Sequence, residues 1–173
     1  MGHRSVLGFE DNYRAKVLNV ETVEQHDEKI CDLWTDTVQK RDMVLVLGDV
    51  GWTYKLLKDL PGRKKLLLGN HDKHHAHEYL EVFEDIIGPR KYKKHWLSHF
   101  PIHESELWGK SVIHGHTHSH GVNDSRYINV SIEMTAGYPI SYQTIVAGNY
   151  YSWHKVNMPF GTTTDVDQNP NKT

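Results

Sequence analysis

The sequence predicts an α/β fold. Short apolar runs of strand length alternate along the chain with helical patterns, most of these runs stop at a Gly or a Pro, and polar residues able to do chemistry gather at or just beyond those stops. In open α/β sheets, ligands collect at the carboxyl ends of strands, so pattern and chemistry point the same way.

The elements follow in order. Val23, Ile30, Leu33, Trp34 and Val38 keep a helical period behind Thr22, a good N-cap, which predicts a helix over 22–40. Residues 43–47 are continuously apolar and end at Gly48, as suits a strand buried on both faces. Trp52 to Leu60, closed by Pro61-Gly62, predicts a short helix. Residues 65–68 give a second buried strand ending at Gly69, and 76–87 a helix ending at Gly88-Pro89. Strands follow at 95–100, stopped by Pro101, at 111–113, stopped by His114-Gly115, and at 127–132. A final helix is expected from Ser141 to about residue 150, after Pro139. Residues 1–160 form one domain on this reading, and 161–173, rich in Thr, Asp, Asn and Pro, a polar, disordered tail.

Composition narrows the function classes. A chain of 173 residues is long enough for a core that needs no staples. No apolar run approaches the roughly 18 residues of a membrane span, and Met1-Gly2-His3-Arg4-Ser5 lacks the apolar stretch of a secretory signal. The single cysteine, Cys31, cannot form an internal disulfide and reads as a small core hydrophobe, so a reducing, cytoplasmic location is expected. A net charge of −2 argues against a protein built to coat nucleic acid, which leaves nucleic acid only as a substrate. Basic clusters at 63–65 and 90–94 read as solvated faces or as anion-steering charge. Histidine stands out, with 14 residues, and it is the commonest metal ligand.

Four strand ends carry candidate ligands: Asp49; Asn70, His71 and Asp72; His99; and His116 with His118. Each alone has a plainer reading, as a helix cap, an Asx-turn or a hydrogen-bonded imidazole. Together they offer a carboxylate, an amide oxygen and imidazoles without a thiolate, a set suited to Mn²⁺, Fe²⁺ or Zn²⁺ rather than to a structural zinc site. In an extended loop His116 and His118 would point the same way, with Gly115 allowing a sharp approach. The His74-His75-His77 run offers a rival reading as a transition-metal buffer. Trp52, Tyr54, Trp108 and Tyr138 either line a base-stacking pocket or pack.

The ordered motifs Gly48-Asp49, Gly69-Asn70-His71-Asp72, His99 and Gly115-His116-Thr117-His118 resemble those of the calcineurin-like metallophosphoesterases, in particular short bacterial and phage-type members without a cap domain. The resemblance covers roughly residues 2–140. It implies a four-layer αββα sandwich of two mixed sheets, and hydrolysis of phosphate mono- or diesters, nucleotides included, by a metal-activated hydroxide. It implies that Asp49 bridges two divalent ions, with Mn²⁺ expected and Fe²⁺, Zn²⁺ or Ni²⁺ as alternatives. Asn70, His99 and His116 would complete one ion site, His118 would serve the other, and His71 would protonate or neutralise the leaving oxygen. The family's opening D-x-H motif, and the strand before it, are missing from the chain, which begins at Met1-Gly2-His3. Three explanations compete: a fragment or mis-started frame, a natural variant working with at least one metal, or a catalytically impaired, non-catalytic metal-binding member. His3 reads as a surface or second-layer residue, or as a replacement ligand. Weak activity is expected of the chain as written, recovering when a D-x-H segment is restored.

Overall fold

The computed structural model describes residues 7–8 and 12–148 of the chain. His3, the end of the expected final helix and the 161–173 tail lie outside the described residues.

The core is built from two sheets. In the first, β1 (Met43–Val46), β2 (Arg63–Leu67) and β3 (Asp85–Ile87) are all parallel, in that order. In the second, β4 (Arg90–Tyr92) runs antiparallel to β5 (His95–Leu97), while β5, β6 (Ser111–His114) and β7 (Tyr127–Asn129) run parallel. The expectation of two mixed sheets therefore holds for the second only; among the described residues the first is purely parallel.

Side-chain alternation explains how the sheets are covered. Val44, Val46, Leu66 and Ile86 share a cluster with Ile30, Leu33, Trp34 and Val38 of the preceding helix and its cap. The residues in between, Leu45, Leu47, Leu67 and Ile87, share another cluster with Leu97, Ile113 and Ile128 of the second sheet. A strand has a side-chain period of two, so the first sheet packs a helix on one face and the second sheet on the other. That helix, α2 (Val23–Thr37), starts at a capping box in which Thr22 and Gln25 exchange side-chain and backbone hydrogen bonds. Leu66 and Leu67 are fully buried on opposite faces of β2, and truncating either to Ala costs about 2–5 kcal/mol.

Several elements differ from the sequence reading. The helix expected over 76–87 is only α3 (Ala76–Tyr79), and Asp85–Ile87 is a strand. Tyr79, Phe83 and Ile87 are spaced four apart and all buried, which mimics a helical face, but the Ile86-Ile87 pair serves the parallel ladder beside β2. Strand β4 is exposed at all three residues and mostly basic, so it carries no apolar pattern to announce it. The 52–60 helix is a 3-10 turn over Tyr54–Asp59. The 127–132 strand stops at Asn129, and α4 (Ile132–Thr135) follows. Short α1 (Tyr13–Leu18) precedes α2, and α5 (Tyr142–Val146), capped by Ser141, follows α4. Cys31 is only partly buried, at the margin of the α2 cluster. Among the described residues, no helix is long and apolar enough to cross a membrane.

Candidate metal centre

The parallel strands β1, β2, β5 and β6 end close together, and the segments that follow them carry the candidate ligands. Donor atoms of Asp49, His99 and His116 all lie within 4.8 Å of one another. The Asn70 amide joins them, its Oδ1 lying 3.0 Å from His99 Nε2, and Asp49 Oδ2 lies 3.3 Å from the same nitrogen.

The backbone that delivers these groups is tightly determined. His99 Nδ1 donates to the Leu47 carbonyl at 2.7 Å, which ties the end of β5 to the end of β1. The Gly115 N–H donates to the His99 carbonyl at 3.2 Å, carrying the β5–β6 ladder one step further and bringing His116 beside His99. The His99 and His116 rings stand 5.0 Å apart, with Phe100 packed edge-on against both. Asp72 accepts from the backbone N–H groups of Asp49, Val50 and Gly69 at 2.8–2.9 Å, clamping the Gly48-Asp49 turn onto the Gly69-Asn70 turn. A Cβ on Gly48 would stand 2.5 Å from Gly69 N and 2.7 Å from His99 Nδ1, and one on Gly69 would overlap the Asp49 carboxylate. The two glycines therefore let the turns touch.

Asp49, His116 and His118 take left-handed backbone conformations at φ of 56°, 66° and 51°. For non-glycine residues this costs free energy, and it persists only where the surroundings enforce it. Gly115, expected to supply the sharp approach, is not the strained residue; a Cβ there would meet only ordinary contacts beyond 3.7 Å. The loop is thus coiled at each histidine rather than extended. Asn129, buried at the end of β7, donates to Thr117 Oγ1 and to the carbonyls of His118 and His120, and so holds this loop in place.

Charge fits a cation at this spot. His99 Nδ1 must carry a proton to reach a carbonyl, so a neutral ring presents its lone pair at Nε2, toward two oxygens. Three electron-rich atoms then converge, an arrangement that either a proton or a metal ion satisfies. Burial pushes His99 toward the neutral form, but hydrogen bonds to Asp49 and to the Leu47 carbonyl outweigh it and raise its pKa. Burial likewise opposes ionisation of Asp49, yet His99 and the His71 N–H hold its pKa below the usual carboxylate value. Burial and the nearby His99 lower the pKa of His116, leaving it neutral and able to ligate. Ligand bonds to a divalent ion run about 2.0–2.3 Å, so donors less than 5 Å apart need little adjustment to share one. These residues fit a divalent ion.

The other expected site residues sit differently. His71 is exposed at the rim, and its backbone N–H donates to Asp49 Oδ1 at 2.9 Å. Asp72, one of the candidate ligands at the strand ends, spends its carboxylate on backbone N–H groups instead. His118 lies outside the three-residue donor group; its Nδ1 donates to Glu133 Oε1 at 2.8 Å, beside Arg14. His75 and His77 stack on each other, whereas His74 turns toward Trp52, Tyr54 and Tyr79, so this run gathers no donor cluster. Tyr54 is core; Trp52 and Trp108 are largely exposed. Sequence reasoning missed Asn129, Glu133 and Arg14.

No family model matches the chain. The Gene 66 protein of Mycobacterium phage L5 is 35% identical, over 57% of this chain and 67% of that protein. The chain belongs to the same family as that phage protein. The Gene 66 protein of Mycobacterium phage D29 is 29% identical, over 62% of this chain and 75% of its own length. Among solved structures, a protein of unknown function from Aquifex aeolicus shares the fold with a TM-score of 0.55 at 23% identity, covering 80% of this chain and 92% of that one.

Proposed function

We propose that this member of the Gene 66 family is a metal-dependent phosphoric ester hydrolase of the calcineurin-like metallophosphoesterase type. The observation that carries this reading is the convergence of Asp49, Asn70, His99 and His116 donors from four strand ends onto one point. On this reading the two packed sheets are the inner layers of an αββα sandwich, and the protein works in the cytoplasm on small phosphate esters or nucleotides.

Asp49, Asn70, His99 and His116 would hold the ion, and His118 would serve a second one. Imidazole, carboxylate and amide without thiolate favour Mn²⁺, with Fe²⁺, Zn²⁺ or Ni²⁺ as alternatives. A divalent ion there supplies Lewis acidity, which acidifies water and stabilises charge on phosphoryl oxygens. Only one of the four ligands is anionic, so the loaded centre keeps net positive charge and attracts a phosphate. His71 stands at the rim, placed by its own backbone bond to Asp49, and would give its proton to the departing oxygen.

The test is release of nitrophenolate from nitrophenyl phosphate mono- and diesters. Turnover that requires Mn²⁺ and disappears in His99→Ala is expected. A second reading, a non-catalytic metal-binding domain, is favoured by the position of His118 outside the Asp49–His99–His116 donor group. Mn²⁺ binding without any turnover would select it.

A further inference from the structure

We propose that Glu133, backed by Arg14, is a positioning residue for the metal centre: it holds the His118 ring with Nδ1 protonated and so commits Nε2 to metal binding. This rests on reading His118 as a ligand.

Glu133 lies on α4 and is only 2% exposed. Its Oε1 accepts from His118 Nδ1 at 2.8 Å and from Arg14 Nε at 2.7 Å, with Arg14 Nη2 at 2.5 Å. Its Oε2 is buried with no hydrogen-bond partner among the described residues. Burying a carboxylate with one oxygen unsatisfied is costly. A structural tie between α1 and the turn after α4 does not require it, because Tyr13, Val17 and Ala136 already join them by apolar packing. Beside its ion pair with Arg14, the carboxylate provides an acceptor for the His118 ring.

That ring is held at both ends of its residue. Asn129 Nδ2 clamps the His118 carbonyl at 2.8 Å, and Glu133 clamps Nδ1. Arg14 Nη2 also lies 3.1 Å from His118 Nδ1, but that guanidinium N–H is already directed at Glu133 Oε1, at 2.5 Å. A carboxylate accepts and cannot donate, so the shorter contact, to Glu133 at 2.8 Å, puts the hydrogen on Nδ1 and the lone pair of the neutral ring on Nε2. Hydrogen bonds of this kind orient ligating histidines and strengthen them as ligands. The opposite side of the centre uses the same device, with the Leu47 carbonyl holding His99 Nδ1.

Two measurements test this on the full chain. Long-range ¹H–¹⁵N correlation of metal-free protein should show His118 with its proton on Nδ1, and Glu133→Gln should give mixed tautomers. Mn²⁺ titration should show Glu133→Gln weakening binding about tenfold to a hundredfold, and doing so only while His118 is present: in a His118→Ala background the Glu133 change should cost nothing. A proton on Nε2 of wild-type His118, or an equal loss in the His118→Ala background, overturns the proposal. If Glu133→Gln fails to fold, Arg14→Gln enters the same cycle, and the wild-type tautomer still decides. No Mn²⁺ binding by the wild type, with the Nδ1 proton in place, overturns the metal reading and not the control of the ring by Glu133.

Discussion

Asp72 gives the sharpest test of how the centre is held together. Its carboxylate accepts three backbone N–H groups, from Asp49, Val50 and Gly69, at 2.8–2.9 Å. A hydrogen bond to a charged group contributes about 1.5–3 kcal/mol, and removing one partner strands the other. The site is part-buried, so water replaces some of what Asp72→Ala removes. If two of the three bonds are effectively lost, the cost is about 3–6 kcal/mol. Asp72→Asn keeps one acceptor oxygen and should cost about half of that. Domains are stable by about 5–15 kcal/mol, so the Ala variant should fold but sit near its margin. Urea denaturation reads this as a midpoint shift of about 2 M at unchanged slope. A shift in Asp72→Ala no larger than that of the exposed neighbour Lys73→Ala would refute the clamp.

Other outcomes follow from the same geometry. Gly69→Ala should abolish Mn²⁺ binding while helix content is retained by circular dichroism, because its Cβ overlaps the Asp49 carboxylate. His71→Ala should lower turnover about 10²–10⁴-fold with the Mn²⁺ affinity unchanged, measured by steady-state kinetics and calorimetry. Asp27 supplies a pH test at a carboxylate outside the donor cluster. Burial raises its pKa, but hydrogen bonds from His26 and Thr53 outweigh this and leave it depressed. A depressed carboxyl stabilises the fold above its unfolded value of about 3.9 and loses that contribution as pH falls through the folded value. The stability advantage of wild type over Asp27→Asn should therefore hold at neutral pH and shrink below about pH 4, as read by thermal melts.

Much of the donor cluster was legible because its residues follow strands whose ends are marked in the sequence. The apolar runs before Gly48 and Gly69, and the Pro after Phe100, place Asp49, Asn70 and His99 at the same edge of the fold. What holds them was not legible. Arg14 and Glu133 lie 119 positions apart, and Asn129 reads locally as one more strand residue. Their roles exist only once the sheets are packed. The coiled path of the His116–His118 loop was hidden for a related reason. Alternating histidines suggest an extended segment, whereas the left-handed turns come from bonds to Asn129 and from the ladder to β5. Strand β3 was hidden by its neighbours, since Tyr79 and Phe83 continue a helical spacing into Ile87.

Calorimetric titration of the metal-free protein with Mn²⁺, beside Asp49→Ala, His116→Ala and His75→Ala/His77→Ala, tests the centre most directly. Saturable binding that disappears in the first two variants and survives in the third is the expected result. Binding that persists without Asp49 and His116, or that depends on His75 and His77, would contradict a metal centre at the strand ends.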